Sequence, residues 1–156
     1  MTLIMILQLT IAIGLINVWL FRFNKATEFR GGNAKNMKEE FVAYGLPIWL
    51  MYLVGAMKVG IAIMLIISFW VEQLLFYNLI ALAALMIAAL LMHVKVKDPI
   101  KKSYPALSIL FMIALIMYFT MGLEYFLIYE TKIKKPPIGR FFKLFQFFFL
   151  LKFKEN

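Results

Sequence analysis

Apolar residues run almost without interruption through residues 3–21, 46–69, 74–94 and 105–123, and polar residues gather between these runs. About twenty apolar residues cross the roughly 30 Å hydrocarbon core as one helix, so the pattern predicts four membrane spans. The first run lacks a basic leading region and a small-x-small cleavage site, and it reads as a retained helix rather than a signal peptide. The connection over residues 22–45 has a period of its own. Ala34, Met37, Phe41 and Tyr44 recur at helical spacing, with Lys35, Lys38, Glu39 and Glu40 on the flanks. This predicts a short amphipathic helix, capped by Asn33 and stopped by Gly45 before Pro47. It would lie across the membrane face or fold over a cavity as a lid. After Lys132 a Pro-Pro break leads into a Phe-rich segment of about a dozen residues, too short to span and expected at the headgroups. The expected fold class is all-α. It is an integral membrane four-helix bundle over residues 1–130, with an amphipathic helix between spans 1 and 2 and a basic, interfacial Phe-rich tail over residues 131–156.

Composition sharpens this picture. With 64% hydrophobic residues and a mean hydropathy of +0.87, the 156-residue chain has no room for a separate soluble domain. The formal net charge is +9, but the charges lie between and after the apolar runs. In a membrane chain this concerns topology and headgroup contact, not nucleic acid. The 22–45 and 95–104 connections carry five and four Lys/Arg, whereas the 70–73 turn carries none. The positive-inside rule then puts both basic loops in the cytoplasm, as in a multi-pass protein of a bacterial inner membrane. Seven basic residues in the tail pull the other way, but short loops weigh most. The absence of cysteine excludes thiolate and disulfide chemistry and cysteine-held clusters. His93, the single histidine, cannot form a bis-histidine haem site within one chain. No metal site is expected.

The candidate chemistry centres on Lys58. It lies about a dozen residues, roughly 18 Å at helical rise, from either end of the second run. A cation at that depth costs about 2.5–3.5 kcal/mol on insertion scales, and an intramembrane ionisable residue is a functional-site candidate by default. Counting inward from the basic-loop side puts Tyr118 at ~19–20 Å and Thr10 at ~16–17 Å, level with Lys58. The acidic residues fall near one interface or the other. The expectation is a small polar cavity around Lys58, Tyr118 and Thr10, open toward His93 and Asn17. Small residues suggest close helix packing: Gly14 on span 1, Gly55, Gly60 and Ala62 on span 2, Ala84 and Ala88 on span 3, and Ala114 and Gly122 on span 4. For Thr10, Gly14 and Asn17, which share one face, interhelical bonding is the plainer reading. For His93 the plainer reading is an interfacial helix end-cap. In the following loop Asp98 and Pro99 form an N-cap and N1 pair, and Pro105 opens span 4 in the same manner.

Two stretches, FRGGNAKNMKEEFVAYGLPIWLMYLVGAMKVGIAIMLI and ALMIAALLMHVKVKDPIKKSYPAL, resemble the DoxX-like membrane proteins. The resemblance rests on Gly55, Lys58, Gly60, His93, Asp98, Pro105, Ala106 and Leu107, and extends over about residues 5–122. It implies a four-helix membrane fold and association with membrane redox or stress systems. Many relatives carry glutamate where this chain has Lys58, so a role that needs a carboxylate there does not transfer.

Three functions follow. The leading one is a non-enzymatic scaffold or accessory subunit of a quinone-linked redox system, docking a partner subunit or a second copy through its small-residue faces. The second is a subunit that binds a quinone or small anion near Lys58, a quinone being the only cofactor candidate. The third is a small-solute or proton carrier. No nucleophile and base constellation stands out, so intrinsic catalysis is the less favoured reading.

Overall fold

The computed structural model describes the backbone of residues 2–132 and the side chains of residues 2–122; the Phe-rich tail lies outside these. Helix α1 (Thr2–Ile16) runs on into a wide π-type turn (Asn17–Phe21), followed by the short α2 (Met37–Ala43). Then come α3 (Ile48–Ile67), α4 (Gln73–Lys95), a 3-10 turn (Ile100–Ser103) and α5 (Tyr104–Lys132). No strand occurs among the described residues. Among the described residues four helices are long and apolar enough to cross a membrane: residues 2–21, 48–67, 73–95 and 100–122. Residues 1–119 make one compact unit and residues 120–156 another. All packing described below belongs to the first.

Within that unit α3 is central, packed against α1 on one side and α4 on the other. Ile11, Ala12 and Leu15 of α1 meet Ile61, Ala62 and Leu65 of α3, Leu79, Leu82 and Met86 of α4, and Ala106, Ile113 and Ile116 of α5 in one buried cluster. Near the far end, Gln8 donates to Ser68 Oγ at 2.9 Å and Ser68 donates to the Leu65 carbonyl at 2.7 Å. Both polar side chains are buried between α1 and α3 and are thereby satisfied. Trp49, Tyr52 and Trp70 are exposed near helix ends, as residues at the membrane–water boundary would be.

The small-residue stripes pack differently from the expectation. Ala62 is fully buried in the core. Gly55 is needed because an added Cβ would come within 2.7 Å of the Trp19 ring. Gly14 and Gly60, however, have no neighbouring side chain or helix within 4 Å of where a Cβ would stand, and Gly122 falls outside this unit. Ala84, Ala88 and Ala114 are exposed. The buried stripe of α4 is Leu79, Leu82, Met86 and His93 instead. Dispersion grows with the number of atoms in contact, and the bulkier side chains fill the space between helices.

The short helix begins three residues later than its apolar period predicts. Asn36, not Asn33, is the N-cap, accepting the Glu39 amide at 2.9 Å. The Glu39 carboxylate reaches back to the Lys35 amide at 2.7 Å and accepts from the Asn36 side chain. Asn36 has a glutamate three residues on, whereas Asn33 does not, and that reciprocal pairing decides the start. The helix stops where expected. Gly45 takes φ +71°, its amide bonds the Val42 carbonyl and that of Leu46 bonds the Phe41 carbonyl, closing a Schellman turn.

Candidate functional site

The two polar connections, 22–45 and 96–103, are bonded to one another, and Tyr44, His93 and Lys102 of the joining side chains border a cavity of about 450 Å³. Arg30 organises the first connection. Its guanidinium is buried and donates to the carbonyls of Arg22, Phe23 and Lys25 and, at 2.7 Å, to Glu40 Oε2. The other oxygen of Glu40 accepts the Gly31 amide at 2.9 Å and the Tyr44 hydroxyl at 3.0 Å. Gly31 has to be glycine because a Cβ would collide with the Tyr44 ring. Burial, with the Glu40 charge beside it, pushes the Tyr44 hydroxyl well above the usual phenol range, so Tyr44 remains a donor.

Asp98 organises the second connection. It does not cap a helix: Pro99 is the residue that precedes the 3-10 turn. The α4 helix ends in another Schellman turn, with Lys97 at φ 57° and the Asp98 amide on the His93 carbonyl. That turn swings the Asp98 carboxylate inward, where it is only 4% exposed. There it accepts His93 Nδ1 at 2.8 Å, the Gly32 amide at 3.0 Å and Lys102 Nζ at 3.0 Å. Burial alone would raise the Asp98 carboxyl, but hydrogen bonds from His93, Lys102 and Gly32 outweigh it and hold the group below the usual carboxylate range. Lys102 also donates to the Gly32 carbonyl, and Lys95 donates to the Tyr44 carbonyl at 2.7 Å. The two connections thus share a clasp of side chain to backbone bonds.

His93 stands in the last turn of α4, as an end-cap would, and is also part of this clasp. It is 7% exposed, its Nδ1 faces Asp98, and its ring stands edge-on to Tyr44 with centroids 5.8 Å apart. A carboxylate only accepts, so Nδ1 carries the proton of that bond.

Deeper along the cavity lies Lys58. Its ammonium sits 5.3 Å from the centroid of the Trp19 ring, on the wide turn of α1. Lys58, His93 and Gly14 line the cavity with Arg30, Glu40, Tyr44 and Lys102, and Leu50, Val54, Leu85, Met86, Phe41 and Ile109 make much of the rest of its wall. Thr10, Tyr118 and Asn17 are not brought to Lys58. Thr10 is exposed and donates to its own helix at Ile6, Tyr118 is 67% exposed, and Asn17 is exposed. The reason is side-chain direction. On a helix the Cα–Cβ bonds tilt toward the N-terminus, and the N-terminus of α3 is on the side of the two polar connections. The lysine therefore reaches a turn or more toward that side, to Trp19 and the neighbourhood of Glu40. Glu40 itself is occupied by three donors, and among the described residues Lys58 has no ion-pair partner.

Trp19, Arg30, Glu40 and Tyr44 are the site residues that residue counting misses. Tyr44 and Glu40 carried a signal, since they share a face of the amphipathic stretch. Arg30 carried none beyond its place among glycines.

A family model matches residues 27–117, the stretch that contains α2, most of the first polar connection and all of the second, Lys58 and the His93–Asp98 pair. The chain belongs to the DoxX-like family. No curated protein and no solved structure matches it. In this DoxX-like chain the matched stretch supplies most of the cavity wall, and the remainder comes from α1, the π-type turn that follows it and Arg22.

Proposed function

We propose that this DoxX-like membrane protein is an accessory subunit that holds a quinone for a membrane redox system. The observation that carries the reading is the cavity, which joins an apolar wall to the Lys58 ammonium, a hydrogen-bond donor with no ion-pair partner among the described residues. Quinone rings need that combination: apolar surroundings for the ring and tail, and hydrogen-bond donors for the carbonyl oxygens. Its size falls in the range of small-molecule sites, about 300–1,000 Å³. The chain supplies binding and proton-bearing groups, and electron transfer belongs to a partner.

The test uses Trp19 as reporter. Trp49 and Trp70 are replaced by Phe, the protein is held in nanodiscs, and a short-tailed naphthoquinone is titrated. Saturable quenching of Trp19 supports the reading, and quenching no greater than in empty-disc partition controls refutes it. A second reading, a scaffold that docks a partner helix or a second copy, is favoured by the outward position of Ala84 and Ala114. Small residues facing lipid let another backbone approach. Native mass spectrometry from mild detergent separates the two, since a scaffold is expected with a stoichiometric partner and no bound quinone.

A further inference from the structure

The charges around the cavity do not balance, and the imbalance has a location. Arg30 is neutralised by Glu40 at 2.7 Å and Lys102 by Asp98 at 3.0 Å. Lys58 has the Trp19 ring and no carboxylate within ion-pair distance among the described residues. Glu40 cannot be recruited cheaply, because Arg30, the Gly31 amide and the Tyr44 hydroxyl already occupy its oxygens. Arg22, which also borders the cavity, is exposed and adds charge of the same sign. An ammonium away from water favours an anion strongly, since removal of solvent strengthens every remaining charge interaction.

We infer that the cavity receives an amphipathic monoanion, a single delocalised oxyanion on an apolar body, with the oxyanion seated on the Lys58 ammonium. The inference rests on the reading of the cavity as a ligand site and narrows it from quinones in general to ionised ones and their carboxylate equivalents. A phosphate dianion fits poorly, because the cavity cation is a lysine point charge and the buried guanidinium fork is already spent on Glu40 and loop carbonyls. A cationic ligand would find no free carboxylate among the described residues that line the cavity. The apolar wall of Leu50, Val54, Leu85, Met86 and Ile109 takes the body of the molecule. Two sources share this chemistry: a ring-hydroxylated quinone, which is ionised at neutral pH, and a medium-chain fatty acid.

Matched probes test the charge. In the Trp19-only protein, a 2-hydroxy-3-alkyl-naphthoquinone is compared with its neutral 2-methoxy ether by quenching. Decanoate and decanol are then compared as competitors. Wild-type protein is expected to prefer the hydroxyquinone anion over the ether by about ten- to a hundredfold, the range of a charged hydrogen bond. Lys58→Met is expected to abolish the preference by bringing the anion's affinity down to that of the ether or below, and Lys58→Arg to keep most of it. Displacement by decanoate but not decanol extends the site to fatty acids, and displacement by neither confines the oxyanion to the quinone. Equal binding of anion and ether in the wild type overturns the inference and leaves the cavity reading standing. If neither quinone quenches Trp19, both fall.

Discussion

Arg30 and Lys58 are both cations in apolar surroundings, and they are handled in opposite ways. Every bonding direction of Arg30 is used, by three carbonyls, a carboxylate and the Met37 sulfur. Removing it would leave Glu40 as an uncompensated buried charge, for which about 3–5 kcal/mol is typical. Arg30→Met is accordingly expected to lower the unfolding temperature in detergent by far more than Lys58→Met, whose lysine has no ion pair to lose. Trp19 gives a second test at this scale. Gly55→Ala would push a Cβ to within 2.7 Å of the ring, and overpacking of this kind costs about 1–3 kcal/mol. The expected outcome is a shifted emission maximum for Trp19 in the Trp49→Phe, Trp70→Phe background. Lys58 was recognisable from the sequence because a charge inside a hydrophobic run is conspicuous there. Its neighbours were not, because residue counting measures the depth of Cα atoms while a lysine ammonium lies several ångströms from its own. Thr10 and Tyr118 were level with the wrong atom.

At the scale of elements, the ends of helices decide the geometry. Gly45 takes its positive φ as glycine does readily, but Lys97 holds the same left-handed region at the end of α4 with a side chain. That conformation costs an L-residue roughly 1–2 kcal/mol, so Lys97→Gly is expected to raise thermal stability without changing ligand binding. The clasp itself is sensitive to acid. Because the native Asp98 carboxyl is held below its ordinary value of about 3.9, its contribution is complete above that pH and is lost as the pH falls through the lowered native value. The stability difference between wild type and Asp98→Asn should therefore persist at pH 5 and shrink below about pH 4, as thermal melts across that range would register. The spans were readable from hydropathy alone, and the stop of α2 from Gly45 and Pro47. Its start was misread because an apolar period identifies a face and not a cap. Asp98 was misread because Asp-Pro is a local signal, whereas the partners of its carboxylate include Gly32, from a distant part of the chain.

For the whole molecule, the clasp holds the two polar connections against each other. That arrangement carries their eight basic residues and Lys95 together, and the positive-inside rule then predicts a cytoplasmic position. The chain has no cysteine, so single substitutions report topology without background. Lys35→Cys is expected to react with an impermeant maleimide only after the membrane is opened, and Glu72→Cys in intact spheroplasts. Labelling in the reverse pattern would invert the orientation. Sixty-six residues separate Gly32 from the carboxylate that holds it. During synthesis the first two spans and their connection therefore emerge with an unfinished site, and Gly32 must wait for α4 to complete before its partner exists. A ligand of the finished cavity therefore arrives after the second half of the protein is in the membrane, and a chain truncated before α4 should keep Lys58 beside Trp19 but lack the wall that Leu85, Met86 and Ile109 supply.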